Sequence, residues 1–422
     1  METPRSNELS QLPEAASAGE VTRRDFAKLF GVAPSMLFAA AAAGVGAGAA
    51  ATPAPAAAAE QPRKSTPIPD DVFIIDAVAH AYNLSKPNLR NRYAEALAGL
   101  IYGVHATWNP PDLVLPPEIF TAGTPAEAVA ATVFLESRTD MAVHHQLRLD
   151  SWFHDGLVSE ERNREIAQRW PNRFISYIGV DPTQPQAQYL DDLKRLKERL
   201  PQAMGLKLYP HQIDPYRPWR ADDPQIMKLF EEAQKLGLKV VAIHKALPNG
   251  NVPMAPYKVD DIDLAADAFP DLKFEIVHAG MAFLEETAWA VARYPNVFAN
   301  LEVTSSLLWK APGWFEEIIG FLMFWGGPKK ILWSTGAVLA HPQPLLQRMW
   351  DLQFSDYTMN KYGLPQITAA DKTQILGGSY AAMMGLDIGA LRAKFAGDEF
   401  ARARAAGLQA PWSNWKRIAG RG

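Results

Sequence analysis

From residue 72 onward, short apolar runs alternate with amphipathic stretches. The runs are VFIIDAVAH (72–80), MAVHHQ (141–146), FISYIGVD (174–181), MGLKLYP (204–210), LKVVAIHK (238–245), KFEIVHAG (273–280), VFANLEVTS (297–305) and KILWSTGA (330–337). They are apolar on both faces and rich in Val, Ile and aromatic residues, as strands buried in a parallel sheet are. Between them the period changes to that of a helix. DDPQIMKLFEEAQKLGLK (222–239) offers Asp223 as N-cap, Pro224 at the first helical position and Gly237 just past the end. Its apolar stripe is Ile226, Phe230, Ala233 and Leu236. FLEETAWAVARYP (283–295) and QYLDDLKRLKERLP (188–201) repeat the scheme.

Eight strands with helices between most of them predict an α/β fold, a (β/α)8 TIM-type barrel. No glycine-rich phosphate fingerprint follows the first strand, which argues against a dinucleotide-binding open sheet. Residues 86–122 read as a long irregular insertion after strand 1, bearing Tyr102, His105, Trp108 and Phe120. A segment of that kind in a compact domain is expected to act as a lid or binding loop. The barrel is expected over 60–386. Residues 387–422 are expected as a C-terminal helical tail, a solvated helix with a loose end.

The first 59 residues stand apart. TRRDFAKLFG (22–31) places paired arginines before an Ala- and Gly-rich stretch, and TPAPAAAAEQ offers small-residue cleavage sites near Ala59. This resembles a twin-arginine export signal. The resemblance implies cleavage, passage through the twin-arginine translocation machinery and a periplasmic location. An N-terminal membrane anchor is the alternative. The chain has 48% hydrophobic and 21% charged residues, and 42 basic against 46 acidic side chains give a net charge of −4. That balance provides no footprint for nucleic acid. With no cysteine, neither disulfides nor a thiol nucleophile are available.

In such a barrel the reactive residues sit at the C-terminal ends of the strands. His80, His144, His145, Lys207, His244, His278 and Glu302 fall in or just beyond the runs, and His341 lies shortly after the eighth. His144 and His145 are adjacent, so at most one faces the interior. Asp76 is expected to orient a loop or an imidazole. Tyr209, Trp152 and Trp309 would give an aromatic mouth suited to a small planar compound, with Arg138 and Arg148 as further partners for a carboxylate.

FIIDAVAH, GLKLYP, VVAIHK, FEIVHAG and ILGGSYAAMMGL (375–386) resemble the amidohydrolase superfamily, in particular the amidohydrolase-2 group of aromatic-acid decarboxylases and small hydrolases. The resemblance covers roughly 72–386. It implies a divalent metal, zinc first, held by a strand-1 H-x-H pair, a strand-5 His and a strand-8 Asp. Here Val78 stands in place of the first His and Gly336 in place of the Asp. His80 and His244 remain as metal ligands, fewer than the three protein ligands usual for catalytic zinc. The resemblance makes His278 the acid/base group; the placement of the other residues adds Lys207 and Glu302 as catalytic companions that position the substrate, with Tyr209, Trp152 and His341 at its binding site.

Three readings follow. The site binds a metal with recruited ligands, or works without one, or belongs to a binding barrel that has lost turnover. The first two make the chain an exported enzyme that hydrolyses, or removes carbon dioxide from, a small cyclic or carboxylated substrate. A homo-oligomer is compatible with any of them.

Overall fold

The computed structural model describes residues 65–420; the expected export signal lies outside them. Eight parallel strands follow one another round a barrel. They are β1 (Ile75–Ala79), β2 (Met141–His145), β3 (Phe174–Gly179), β4 (Gly205–Leu208), β5 (Val240–His244), β6 (Lys273–Val277), β7 (Val297–Asn300) and β8 (Ile331–Leu332). Each pairs in parallel register with the next, for example Leu206 with Val241 and Ile243 with Ile276. Nearly every strand residue is buried, which is why the sequence shows unbroken apolar runs in place of alternation.

The circle closes at the seam between β8 and β1 through backbone hydrogen bonds. Ala77 N donates to Trp333 O at 2.9 Å, Gly336 N donates to Val78 O at 3.1 Å, and His80 N donates to Ala337 O. At the other end, Phe73, Ile75, Val143, Tyr177 and Phe298 form a floor with Tyr380, Met384 and Phe395 from the chain's last third. Gly377 makes that closure possible, because a Cβ there would lie 2.0 Å from the carbonyl oxygen of Phe73.

The helices run close to their predicted bounds: Pro224–Lys235 behind Asp223, Leu284–Arg293, and Gln186–Arg199. Two expectations need correction. The segment after β1 is not irregular throughout: it holds α1 (Arg92–Trp108), capped by Asn91, whose side chain accepts from Tyr93 N and Ala94 N at 3.1 Å. Asn91 is a good cap in an otherwise unremarked polar stretch. The C-terminal segment is not a solvated helix with a loose end. Its three short helices, Ile388–Phe395, Glu399–Arg404 and Ser413–Ala419, bury Phe395, Phe400, Trp412 and Trp415. Glu136, itself buried, accepts from Trp412 N at 2.7 Å and from Asn414 N at 3.0 Å, tying the segment to the barrel. Among the described residues no helix is long and apolar enough to cross a membrane.

Candidate active site

The strand ends carry a cluster of polar residues in a largely apolar interior. His80 follows β1, His244 ends β5, His278 follows β6, Glu302 lies two residues past β7, and Lys207 sits within β4. All five are buried. His278 and Val303 take left-handed backbone conformations, φ +66° and +61°. Such strain in a side-chain-bearing residue costs about 1–2 kcal/mol and collects at functional sites.

Glu302 is the hub. His80 Nε2 donates to its Oε1 at 2.5 Å, while Lys207 Nζ and His278 Nε2 each lie 3.7 Å from Oε2. Burial pushes the Glu302 carboxyl up, but His80, His278 and Lys207 outweigh it and hold the group well below the usual carboxylate range. It is therefore ionised, and its negative charge organises its neighbours.

His278 and His244 form a second unit. A carbonyl oxygen only accepts, so His278 Nδ1 donates to Glu302 O at 3.0 Å and His244 Nε2 donates to Leu247 O at 2.6 Å. The remaining contact, His278 Nε2 to His244 Nδ1 at 3.0 Å, becomes a hydrogen bond only when the pair takes up a third proton. Burial draws both imidazoles below their usual range. The neutral pair is thus favoured, and a proton taken up between the rings is readily given away again, as proton transfer requires.

Several buried polar atoms here have no hydrogen-bond partner: His80 Nδ1, both nitrogens of His145, Lys207 Nζ and Glu302 Oε2. Buried polar groups are almost always paired, and this concentration leaves donors and acceptors open on one side of the barrel mouth. Tyr82 and Tyr209 wall the spot, their rings 5.0 Å from His80 and 4.8 Å from His244.

The inherited metal position does not fit this arrangement. Val78 has no donor, and Gly336 leaves its space to Glu302, whose Cγ lies 3.2 Å from where a Cβ would begin. His80 spends Nε2 on Glu302, and both nitrogens of His244 are hydrogen-bonded. Among the described residues no group of three or more His, Asp or Glu side chains is placed to hold a metal ion. The β8 acid has in effect been replaced by a carboxylate from β7, which takes a hydrogen bond from the imidazole at the end of β1.

The structure thus brings His80, Lys207, Tyr209, His244, His278 and Glu302 together. It does not bring His341 or Trp152 to them. His341 Nδ1 accepts from Gln343 N at 3.3 Å, capping the helix Pro342–Asp351, and Nε2 faces Glu136 at 3.3 Å. Trp152 packs against His211, ring centroids 5.4 Å apart. Trp309 lies under Arg348, and Arg138 and Arg148 pair with Asp70 and Asp150. Asp76 accepts from Thr335 N at 2.9 Å, Thr335 Oγ1 at 2.5 Å and Val78 N at 3.2 Å, fixing the seam. His144 points outward, with Nδ1 2.7 Å from Asn163 Oδ1 on helix Glu160–Arg169. His145 points inward, stacked on Tyr177 at 4.5 Å and 5.9 Å from His80. Alternation alone could not say which of the two faced the interior. Tyr82 was missed because it lies past the apolar run and matches no motif.

Residues 75–382 match the family model for amidohydrolase, Amidohydro_2, and the chain belongs to that family. Among solved structures, an uncharacterized TIM-barrel protein from Bordetella bronchiseptica is 16% identical, with a TM-score of 0.52 over 74% of this chain and 99% of its own. That likeness shows the TIM-barrel fold. Two weaker likenesses are 5-carboxyvanillate decarboxylase from Sphingomonas paucimobilis and a zinc-bound amidohydrolase from Burkholderia multivorans. The first is 16% identical, with a TM-score of 0.44 over 75% of this chain and 100% of its own. The second is 14% identical, with a TM-score of 0.45 over the same shares. Curated protein sequences gave no match.

Proposed function

We propose that the chain is an exported enzyme of the amidohydrolase superfamily that hydrolyses, or removes carbon dioxide from, a small carboxylated or cyclic substrate without a metal ion at its inherited site. The observation that carries this reading is the ionised Glu302 held among His80, His278 and Lys207 at the C-terminal mouth of the barrel. Glu302 takes a proton or fixes His80 as its donor. His278, backed by His244, gives one up. Lys207 and the walls Tyr82 and Tyr209 meet the substrate. The paired arginines Arg23 and Arg24 ahead of an Ala-rich stretch support export to the periplasm.

The test is a screen of the purified chain against cyclic esters, lactones and aromatic or aliphatic carboxylic acids, with and without a chelator. Turnover that survives the chelator and is lost in Glu302→Gln supports the reading. Turnover that needs an added divalent ion, or is untouched in Glu302→Gln, overturns it.

A further inference from the structure

Three lysines are buried among the described residues, and two of them explain themselves. Lys245 donates to Asp261 Oδ2 at 2.7 Å and to Pro256 O at 2.8 Å. Lys372 donates to Trp350 O at 2.6 Å. Lys207 is as deeply buried, at 1% exposure, yet its Nζ makes no hydrogen bond. Its approach to Glu302 Oε2, 3.7 Å, is too long for one, and Glu302 already takes the N–H of His80.

An ammonium stripped of water with none of its three donors satisfied is costly, whereas the neutral amine tolerates burial. Burial accordingly pulls Lys207 below the usual lysine range, against the attraction of Glu302 and Glu275. Once its proton is lost, a buried primary amine of this kind is a nucleophile toward carbonyl carbon.

We infer that Lys207 is a covalent catalyst, and that its Nζ forms an imine with the ketone carbon of a 3-oxo carboxylic acid. This rests on the carbon-dioxide-losing arm of the proposed function and names its substrate class. The Nζ lone pair attacks the ketone carbon, and Glu302 Oε2 takes a proton from the attacking nitrogen and passes it to the alkoxide oxygen the attack creates. The hydroxyl of the adduct, protonated from His278, leaves as water, giving a protonated imine. The bond to the carboxylate breaks, its electron pair moves toward the imine nitrogen, and carbon dioxide departs. The resulting enamine carbon takes a proton, and water hydrolyses the imine to release the ketone and the free amine. One water leaves and one enters, and one proton is consumed for each carbon dioxide formed.

The experiment uses the full chain with acetoacetate and benzoylacetate, with and without sodium borohydride, read by intact mass and peptide mapping. The expected result is one reduced adduct per chain, on the peptide bearing Lys207, together with loss of activity on reduction. Lys207→Arg keeps a positive charge but no usable nucleophile. It should form no adduct and release carbon dioxide roughly 10²-fold more slowly or worse. Lys207→Cys alkylated with 2-bromoethylamine returns a primary amine and should recover both readouts, so that a fold defect in the arginine variant does not decide the matter. Absence of an adduct on wild-type Lys207 with both acids overturns the inference. So does a Lys207→Arg variant that releases carbon dioxide at the wild-type rate. If that variant still turns over a carboxylated or cyclic substrate while Glu302→Gln does not, the imine falls and the proposed function stands.

Discussion

His80 Nε2 and Glu302 Oε1 lie 2.5 Å apart, joining the end of β1 to the turn after β7 across 222 residues of chain. The carboxylate reaches the imidazole from the side where the family's β8 acid would stand. Breaking this pair leaves a buried charge without its donor. His80→Ala and Glu302→Gln are each expected to lower kcat/KM by about 10²–10⁴-fold. Steady-state kinetics on the first substrate identified by the screen, with circular dichroism to confirm folding, checks this.

Removal of metal is expected to change nothing. Dialysis against a strong chelator should leave turnover intact, and elemental analysis of the purified chain should find zinc and manganese well below one per chain. A stoichiometric ion that disappears in His80→Ala would refute this.

Writing the family acid back should be harmful. Gly336 has φ +66° and abuts Glu302, so Gly336→Asp is expected to cost roughly 1–2 kcal/mol for backbone conformation alone. Crowding of two carboxylates adds to that. Thermal melts of Gly336→Asp against Gly336→Asp/Glu302→Gly test the cause, because the second change should recover part of the loss.

Two buried carboxyls should each withdraw stability as pH rises toward neutrality. Burial raises the carboxyls of Asp76 and Glu275 to about 7, the latter while accepting from Tyr177 and Asn300. A group whose folded value is raised binds its proton more tightly folded than unfolded. Its contribution is complete below the unfolded value near 4 and drains away as pH climbs through about 7. Each contribution is on the order of a few kcal/mol. The buried histidines His105, His144, His145, His211, His244, His278 and His341, whose folded values are lowered, act oppositely and add stability as pH rises toward their ordinary range. The carboxyl share is therefore read as a difference: the Tm of Asp76→Asn relative to wild type should climb as pH rises from 5 to 8. Glu302, whose folded value is depressed, acts oppositely and only in acid, losing its contribution as pH falls below the ordinary carboxylate range.

Glu136→Ala should loosen the C-terminal segment. It strands the N–H groups of Trp412 and Asn414, at a cost of roughly 2–4 kcal/mol. Limited proteolysis is expected to clip the chain after residue 404 in the variant before it clips wild type.

The barrel was legible because parallel strands covered on both sides must be apolar throughout, and residues 240–244 or 273–277 can hardly be read otherwise. β8 was overread: only Ile331 and Leu332 keep ladder geometry, while Trp333 to Ala337 turn into the seam. α1 was underread, because its Gly99, Tyr102, Gly103 and Thr107 dilute the helical signal. Of the mouth, the identities at strand ends were visible, but not their pairing. No spacing rule says that Glu302 takes up the space left by Gly336, or that one of two adjacent histidines turns toward a helix. Such facts depend on contacts between separate elements, Glu302 with Gly336 across 34 residues and His144 with Asn163 across 19. His341 shows the converse: a histidine before proline, near a strand end, served as a helix cap.

Val78 and Gly336, the two positions where the family's ligands are missing, are direct backbone partners across the barrel seam, through the Gly336 N–H to Val78 O hydrogen bond. They constitute one locus, not two separate losses. Substitutions at adjoining positions of this kind do not add independently. A designed return to metal chemistry is therefore a change to one contact, and both positions belong in the same double variant.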